Sequence, residues 1–397
     1  HHAHRPRGGV RHRLRHAECL AREADVDAVH RAAVVLAVGA GAGLRLAHPP
    51  AEPRADQHGA DGARHHQRAA AAGAQRVRRR ARHGALPDPL RRAADLRQHA
   101  GHRPAPRAGR ARRDAGVSAV SAAVQRHGEA GAWGALHRFL PIADNVLSYL
   151  QVASNKGLDC FVSIGTSRDW QERADALYSA GARFFVVDIA HGHSLMMKNT
   201  VEWLRHRFGR DLFIMAGNVG TPQAVKDLDS WGVDAIKVGI GGGFVCETKN
   251  VTGVNTPMFT TVQACAEVTD KPIIADGGAR AYGDVAKAIG AGATALMSGY
   301  FFAGCPENPE RSRIYDPITH TYKPIYRGMA SRDAMAVIRE ADKGLPTPEG
   351  RSTTTSLKPS ARVVVEEIAG GLRSAYSYVG ARTTSEFWSK VTFGYRR

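Results

Sequence analysis

The chain has 397 residues and a formal charge of +18 at neutral pH, a length that accommodates one large domain or two ordinary ones. Its five cysteines, Cys19, Cys160, Cys246, Cys265 and Cys305, show no paired CxxC spacing, which argues against zinc sites and a disulfide framework and fits a reducing compartment. No apolar run approaches the roughly 18 residues of a membrane span and no signal-peptide order is visible at the N-terminus, so the expectation is a cytoplasmic protein that meets no membrane.

The charge is unevenly placed. Residues 1–130 hold 25 Arg, no Lys and 11 acidic residues, so +14 of the total belongs to this block and only +4 to the rest. The block also contains no Phe, Ile, Lys, Met, Asn, Thr, Tyr or Trp. With so little aromatic or β-branched material it cannot build an ordinary core, and its apolar stretch 32–38 stands isolated. Three readings apply to it: a basic arm that binds nucleic acid through phosphates, a helical accessory domain, or a GC-rich gene translated out of frame. The abrupt change of composition favours the third, since a basic arm normally mixes Lys and Ser with Arg. Residues 1–133 are therefore set apart, as disordered or out-of-frame, from a catalytic region at 134–397.

From residue 134 onward short apolar runs alternate with amphipathic stretches. Strands are predicted over 160–164, 184–189, 212–216, 235–238, 272–275 and 295–297, and helices over 169–180, 195–207, 222–230, 258–268 and 282–290. Buried strands separated by helices at this spacing indicate a parallel sheet. Each strand runs into Gly, Asp or Asn: Gly165, Asp188, Asn218, Gly239, Asp276 and Gly299. In a (β/α)8 barrel the active site is assembled at that end. A doubly wound sheet gives the same local alternation, so periodicity leaves both open.

One cysteine stands out. Cys246 follows a glycine-rich loop and precedes Thr248 by two positions, the setting of an exposed, ionisable nucleophile. Cys160, Cys265 and Cys305 have no such surroundings and read as packing residues.

The segment KVGIGGGFVCETKNVTGVNTP (237–257) resembles the catalytic loop of the IMP dehydrogenase / GMP reductase family. Further blocks of that family stand in order around it: VDIAHGHS (187–194), IMAGNV (214–219), IADGGAR (274–280), YRGMAS (326–331) and GGLRSAYSYVGA (370–381), with HRF (137–139) resembling the end of an early strand. The resemblance covers about residues 134–397 and implies a (β/α)8 TIM barrel, usually tetrameric, whose first strands are missing or replaced. The family's Ser/Asn/Met segment that touches substrate is absent from residues 1–133, and no CBS-type insert is recognisable.

The resemblance also implies roles. Cys246 is the nucleophile that attacks purine C2, with Thr248 and Glu349 as its proton relay. Asp276 accepts the ribose hydroxyls, while Gly278 and Gly299 offer N–H groups to the phosphate. Tyr326 adds a phenolic donor, Gly328 and Met329 pack on the base, and Ser331 is a further substrate-binding residue. Asp188, Asn218, Ser163, Gly165 and Thr166 lie towards the nicotinamide cofactor. The backbone carbonyls of Gly241, Gly243 and Cys246 match a monovalent-cation site, K+ in relatives, although the glycines serve the turn equally well. His191 and His193 read equally as ligand contacts and as loop surface.

Both family reactions pass through a Cys–purine adduct. The dehydrogenase hydrolyses it with an Arg-Tyr pair on a mobile flap, whereas the reductase expels ammonia and needs no such flap. Residues 328–349, GMASRDAMAVIREADKGLPTPE, contain no Arg-Tyr dipeptide and no Tyr. The expected activity is therefore NADPH-dependent reduction of GMP to IMP and ammonia, with NAD-dependent oxidation of IMP as the alternative. EADK (340–343) echoes some dehydrogenases. A third alternative is a purine-nucleotide-binding barrel without turnover, fused to a nucleic-acid-binding arm. Three positions depart from the family pattern: Phe244 where Ser is usual, Tyr300 where Ser or Gly is usual, and Gly242 where Ser or Pro is usual. They imply a rearranged phosphate cup or a different ligand.

Overall fold

Eight parallel strands close into a barrel in which spatial order follows chain order. They are β1 (Val34–Ala37), β2 (Trp133–Leu136), β3 (Phe161–Ile164), β4 (Phe184–Asp188), β5 (Phe213–Val219), β6 (Ala235–Val238), β7 (Ile273–Asp276) and β8 (Ala295–Met297). The computed structural model describes residues 34–37, 120–126, 128–154, 158, 160–308, 313–338 and 347–394, with no side-chain description for 34–37 and 336–338.

The missing or replaced first strand takes a definite form. The place ahead of β2 is filled from within the Arg-rich block, by four residues of the apolar stretch that stood isolated in the sequence. Val35 is in register with Trp133 on one side and Met297 on the other, so the sheet has no open edge. The remaining residues before 120, and with them the three readings of that block, lie outside the described residues.

Parallel neighbours require a crossover, and helices supply it. They include α1 (Ile142–Ala153), α2 (Trp170–Ser179), α3 (Leu195–Phe208), α4 (Pro222–Ser230), α5 (Thr248–Thr252), α6 (Met258–Ala266), α7 (Tyr282–Gly290), α8 (Arg332–Ile338), α9 (Ala361–Tyr378) and α10 (Thr384–Lys390). Ser194, Thr221 and Thr383 start α3, α4 and α10 as side-chain caps, accepting from Met197, Ala224 and Glu386 N–H, which satisfies donors that a helix end leaves unpaired. Predicted and observed bounds differ by a residue or two at most termini. β5 is the exception, running on to Val219 through the Gly217–Asn218 positions. The pattern did not signal α5 or a small antiparallel sheet of β9 (Arg313–Asp316), β10 (Thr321–Arg327) and β11 (Ser352–Thr354), of whose residues only Pro324 is buried, so that they carry little apolar alternation.

The two ends of the barrel have opposite chemistry. The first residues of β2 to β5, Trp133, Phe161, Phe184 and Phe213, form a ring cluster with centroids 4.8 to 6.0 Å apart, at separations typical of edge-to-face packing. This plug closes the N-terminal end with apolar area, while the other end collects Gly, Asp and Asn. At the rim, His137 accepts from Phe139 N–H; burial, and then the neighbouring Arg173, hold its pKa down to about 4, so it is neutral at neutral pH. Arg173 is itself buried and joins α2 to α1, donating to Leu140 O at 2.8 Å, to Asp169 at 2.6 Å and to Asn145 Oδ1.

Phe161 is 1% exposed and touches three of the plug's rings. Its replacement by Ala should lower the unfolding free energy by about 3–5 kcal/mol, read from the shift of a urea unfolding midpoint; a loss below about 1 kcal/mol would show that the plug contributes little.

Candidate active site

The residues that carry chemistry stand at the C-terminal ends of the strands and on the loops that follow them. β6 ends at Val238 and runs into the glycine-rich turn, where Cys246 N–H donates to Gly243 O at 3.1 Å. That bond closes a tight loop and leaves the Gly243 oxygen one lone pair for a cation. Among the described cysteines, Cys246 alone is not buried. Burial pushes the thiols of Cys265 and Cys305 up to about 11 and about 12, so both stay protonated and inert, in keeping with packing roles.

Cys246, Thr248 and Glu349 come together despite the distance between them in sequence. Cys246 Sγ donates to Thr248 Oγ1 at 3.3 Å, and Thr248 Oγ1 donates to Glu349 Oε2 at 2.8 Å. The pairing of two chain segments delivers the glutamate. Residues 245–247 run antiparallel to 349–351, bridged by Glu247 N–H to Glu349 O (2.8 Å) and Arg351 N–H to Val245 O (2.9 Å). A third segment, 328–331, packs on both: Gly328 N–H donates to Arg351 O and Gly350 N–H to Ala330 O. A Cβ at Gly350 would lie 2.9 Å from Ser331 N, so only glycine allows this approach.

Within the barrel a buried ammonium organises the strand ends. Lys237 Nζ on β6 lies 2.7 Å from Asp188 Oδ1 on β4 and 2.7 Å from Asp276 Oδ2 on β7, and also donates to Asn218 Oδ1 on β5. Asn218 Nδ2 in turn donates to Gly239 O at 2.6 Å and to Asp276 Oδ2 at 2.9 Å. Burial alone would neutralise Lys237, but the two carboxylates outweigh it and raise its pKa. Asp188 is shifted the opposite way: burial opposes its charge, yet Lys237 and then Arg138 hold its carboxyl below the usual range. Both ions are therefore charged at neutral pH. The contacts of Asp276 among the described residues use Oδ2, which leaves Oδ1 for a ligand.

The other sequence-predicted residues divide. Ser163 and Thr166 are buried beside Gly165, where a Cβ would come 3.2 Å from Arg138 Nη1; the Arg138 side chain thus covers the end of β3. Tyr326 on β10 faces the site, with its phenol pushed up to about 12 by burial and by the nearby Asp276 and Tyr300. Gly299 lies two residues beyond the end of β8, and Met329 is half-buried on the 328–331 segment. Ser331 is buried and its hydroxyl accepts from Ala334 N–H at the start of α8, so its direct partner is a helix end. Gly278 differs from expectation: its N–H donates to Gly242 O at 2.8 Å and is not turned to a phosphate. Gly241 has φ +76, so the turn itself requires glycine there. His193 pairs with Asp227 at 2.8 Å on the surface, and His191 is exposed. EADK (340–343) falls outside the described residues.

Three features were missed in the sequence. Lys237 was read as part of the loop motif, although a lone Lys inside an apolar strand was the available signal. Met258 opens α6 and packs over the glycine loop, so that a Cβ at Gly242 or Gly278 would meet its side chain at 2.9 or 2.6 Å, and glycine is what fits at both positions. Phe244 and Tyr300 were seen as departures but not as one cluster. Phe244 lies 4.9 Å from Tyr300 and parallel to Tyr326 at 6.1 Å.

Comparison with known proteins places these observations in context. Residues 9–396 match the family profile described as IMP dehydrogenase / GMP reductase domain. The chain is 39% identical over 246 residues to inosine-5'-monophosphate dehydrogenase of Chlorobaculum tepidum, covering 58% of this chain and 49% of that protein. For the protein of the same name from Aquifex aeolicus the identity is 40% over 240 residues, covering 58% and 48%. Among solved structures, a cysteine-to-alanine variant of GMP reductase from Trypanosoma brucei in complex with guanosine 5'-monophosphate matches with a TM-score of 0.56 and 35% identity, over 61% of this chain and 52% of that one. The chain spans about half the length of the curated relatives it matches.

Removing Lys237 leaves two carboxylates facing each other without a counter-ion. Lys237→Met should therefore destabilise the barrel by about 3–5 kcal/mol, with the loss eased when Asp276→Asn is added. A double variant no more stable than the single one, by thermal unfolding, would show that the pair is not what Lys237 neutralises.

Proposed function

Because the chain belongs to the IMP dehydrogenase / GMP reductase family, we propose that it is a GMP reductase, converting GMP to IMP and ammonia with NADPH as reductant. The observation that carries this reading is the hydrogen-bonded series Cys246, Thr248, Glu349, set beside a 328–349 segment with neither an Arg-Tyr dipeptide nor a tyrosine. Hydrolysis of an adduct requires an activated water, and that segment supplies no such pair.

The direction of the hydrogen bonds supports the order of events. The thiol proton of Cys246 passes through Thr248 to Glu349, leaving a thiolate that adds to C2 of GMP. The C–S bond forms as an electron pair moves onto the ring nitrogen. The proton held by Glu349 returns through Thr248 to the 2-amino group, which leaves as ammonia. NADPH, held towards Asp188 and Arg138, would supply a hydride equivalent at C2; as the ring-nitrogen pair re-forms the C=N bond, the C–S bond breaks and its electrons return to Cys246 with release of IMP. Asp276, through Oδ1, accepts from the ribose hydroxyls, and Tyr326 and Gly299 border the phosphate end. At the cofactor end, Asp188 and the guanidinium of Arg138 above Gly165 suit a ligand bearing both an amide and a diphosphate. The carbonyls of Gly241, Gly243 and Cys246 suit a hard monovalent cation such as K+, which would hold the cysteine loop in its curled form. A cytoplasmic homotetramer is part of this reading. No helix among the described residues is long and apolar enough to cross a membrane.

The second reading is IMP dehydrogenase, favoured by the name that the matched curated relatives carry. Absorbance at 340 nm separates the two. With GMP and NADPH the purified chain should lose absorbance, with IMP and NAD it should not gain any, and Cys246→Ala should abolish the former while sparing GMP binding. Turnover of IMP with NAD would select the dehydrogenase, and activity surviving in Cys246→Ala would overturn both.

A further inference from the structure

Above the ends of β6 to β8, three aromatic rings and two exposed guanidiniums share one wall. The Arg280 guanidinium lies over the Phe244 ring, 5.0 Å from its centroid, and that of Arg351 lies 5.6 Å from the same centroid. Tyr326 stands parallel to Phe244 and is close enough to Asp276 to feel its charge, so this wall adjoins the carboxylate assigned to the ribose. Lys358 lies on the same wall but is committed to Tyr300, with its ammonium over that ring and donating to Tyr300 O.

A guanidinium laid on an aromatic face keeps its in-plane N–H donors available, and cation–π attraction fixes where they point. Arg280 has no carboxylate partner among the described residues. Its backbone N–H, like that of Ala281, is taken by Asp284, so the donors it offers outward are those of its side chain. Arg351 donates to Phe244 O at 3.3 Å and shares its charge with Glu247 at 3.4 Å. Meanwhile Gly278, an amide expected to face a phosphate, spends its N–H on Gly242 O. The wall therefore has fewer neutral donors and more fixed charge than the sequence motif implies.

We infer that Arg280 and Arg351, carried on Phe244, are the phosphate-recognition pair of this site, so that the ligand is a nucleoside monophosphate held at its dianionic end by charge-assisted hydrogen bonds. This rests on the purine-nucleotide reading above and deepens it. It also gives Phe244 a purpose that a hydroxyl donor could not fill, since the ring is the platform that places both guanidiniums.

Calorimetric titration of the full chain with GMP and with guanosine tests it. Arg280→Ala and Arg351→Ala should each weaken GMP by about tenfold or more while changing guanosine by less than about twofold. Phe244→Leu, which keeps bulk but removes the ring face, should lose GMP affinity in the same selective way. The affinity of the unaltered chain for GMP, but not for guanosine, should fall as salt rises from 50 to 200 mM, by about twofold or more. Arginine variants that bind GMP as the unaltered chain does would overturn the assignment while leaving the nucleotide reading intact. Equal losses for GMP and guanosine would make the arginines structural and also overturn it. No GMP binding by the unaltered chain would overturn the nucleotide reading itself, and this proposal with it.

Discussion

One buried ammonium ties four strands of this barrel together. Lys237 is 3% exposed, and the partners that allow it to remain charged come from β4, β5 and β7. An isolated charge at that depth would cost several kcal/mol. Its neutralisation therefore fixes where Asp188, Asn218 and Asp276 stand relative to one another. Those positions are also the ones at which the proposed function seats a ribose and a nicotinamide. The groups that make the barrel interior stable at this end and the groups that would hold ligand are largely the same, each carboxylate giving one oxygen to Lys237 and keeping the other.

The surroundings of Cys246 rest on a second constraint, independent of the first. Thr248 and Glu349 are 101 positions apart, and their hydrogen bond exists because 245–247 pairs with 349–351 as a short antiparallel ladder. The 328–331 segment wedges against both, so the cysteine loop is clamped from two sides by backbone alone. Backbone pairing of this kind demands glycine at 350, where the segments meet, but sets no such demand on the side chain at 244. The opposite end of the barrel is closed by the Trp133, Phe161, Phe184 and Phe213 cluster, which has no polar function. Stability and chemistry are thus separated along the barrel axis, with Lys237 the point at which they meet.

Much of this was legible in the sequence where the signal was local. Six strands and five helices follow from runs of apolar residues and from their helical spacing, because burial on both faces of a parallel strand writes itself into four or five consecutive letters. Cys246 was legible because a flexible glycine turn and a neighbouring hydroxyl lie within a few residues of it. The strand Val34–Ala37 was not, since four apolar residues in an Arg-rich block gain meaning only from the edges of β2 and β8 that they pair with. The antiparallel strands β9, β10 and β11 were equally silent, since only one of their residues is buried.

The sequence by itself determined the alternation of elements, the singling out of Cys246 as the candidate nucleophile and the polar character of the strand ends, all of which depend on neighbours within a few residues. The tertiary structure alone decided which carboxylates share Lys237, that Gly278 gives its N–H to Gly242, and that Arg280 and Arg351 meet on one phenylalanine ring. Each of these joins residues from different strands or loops, and the free energy that selects them, the burial of a charge or the saturation of a donor, does not exist until the barrel closes.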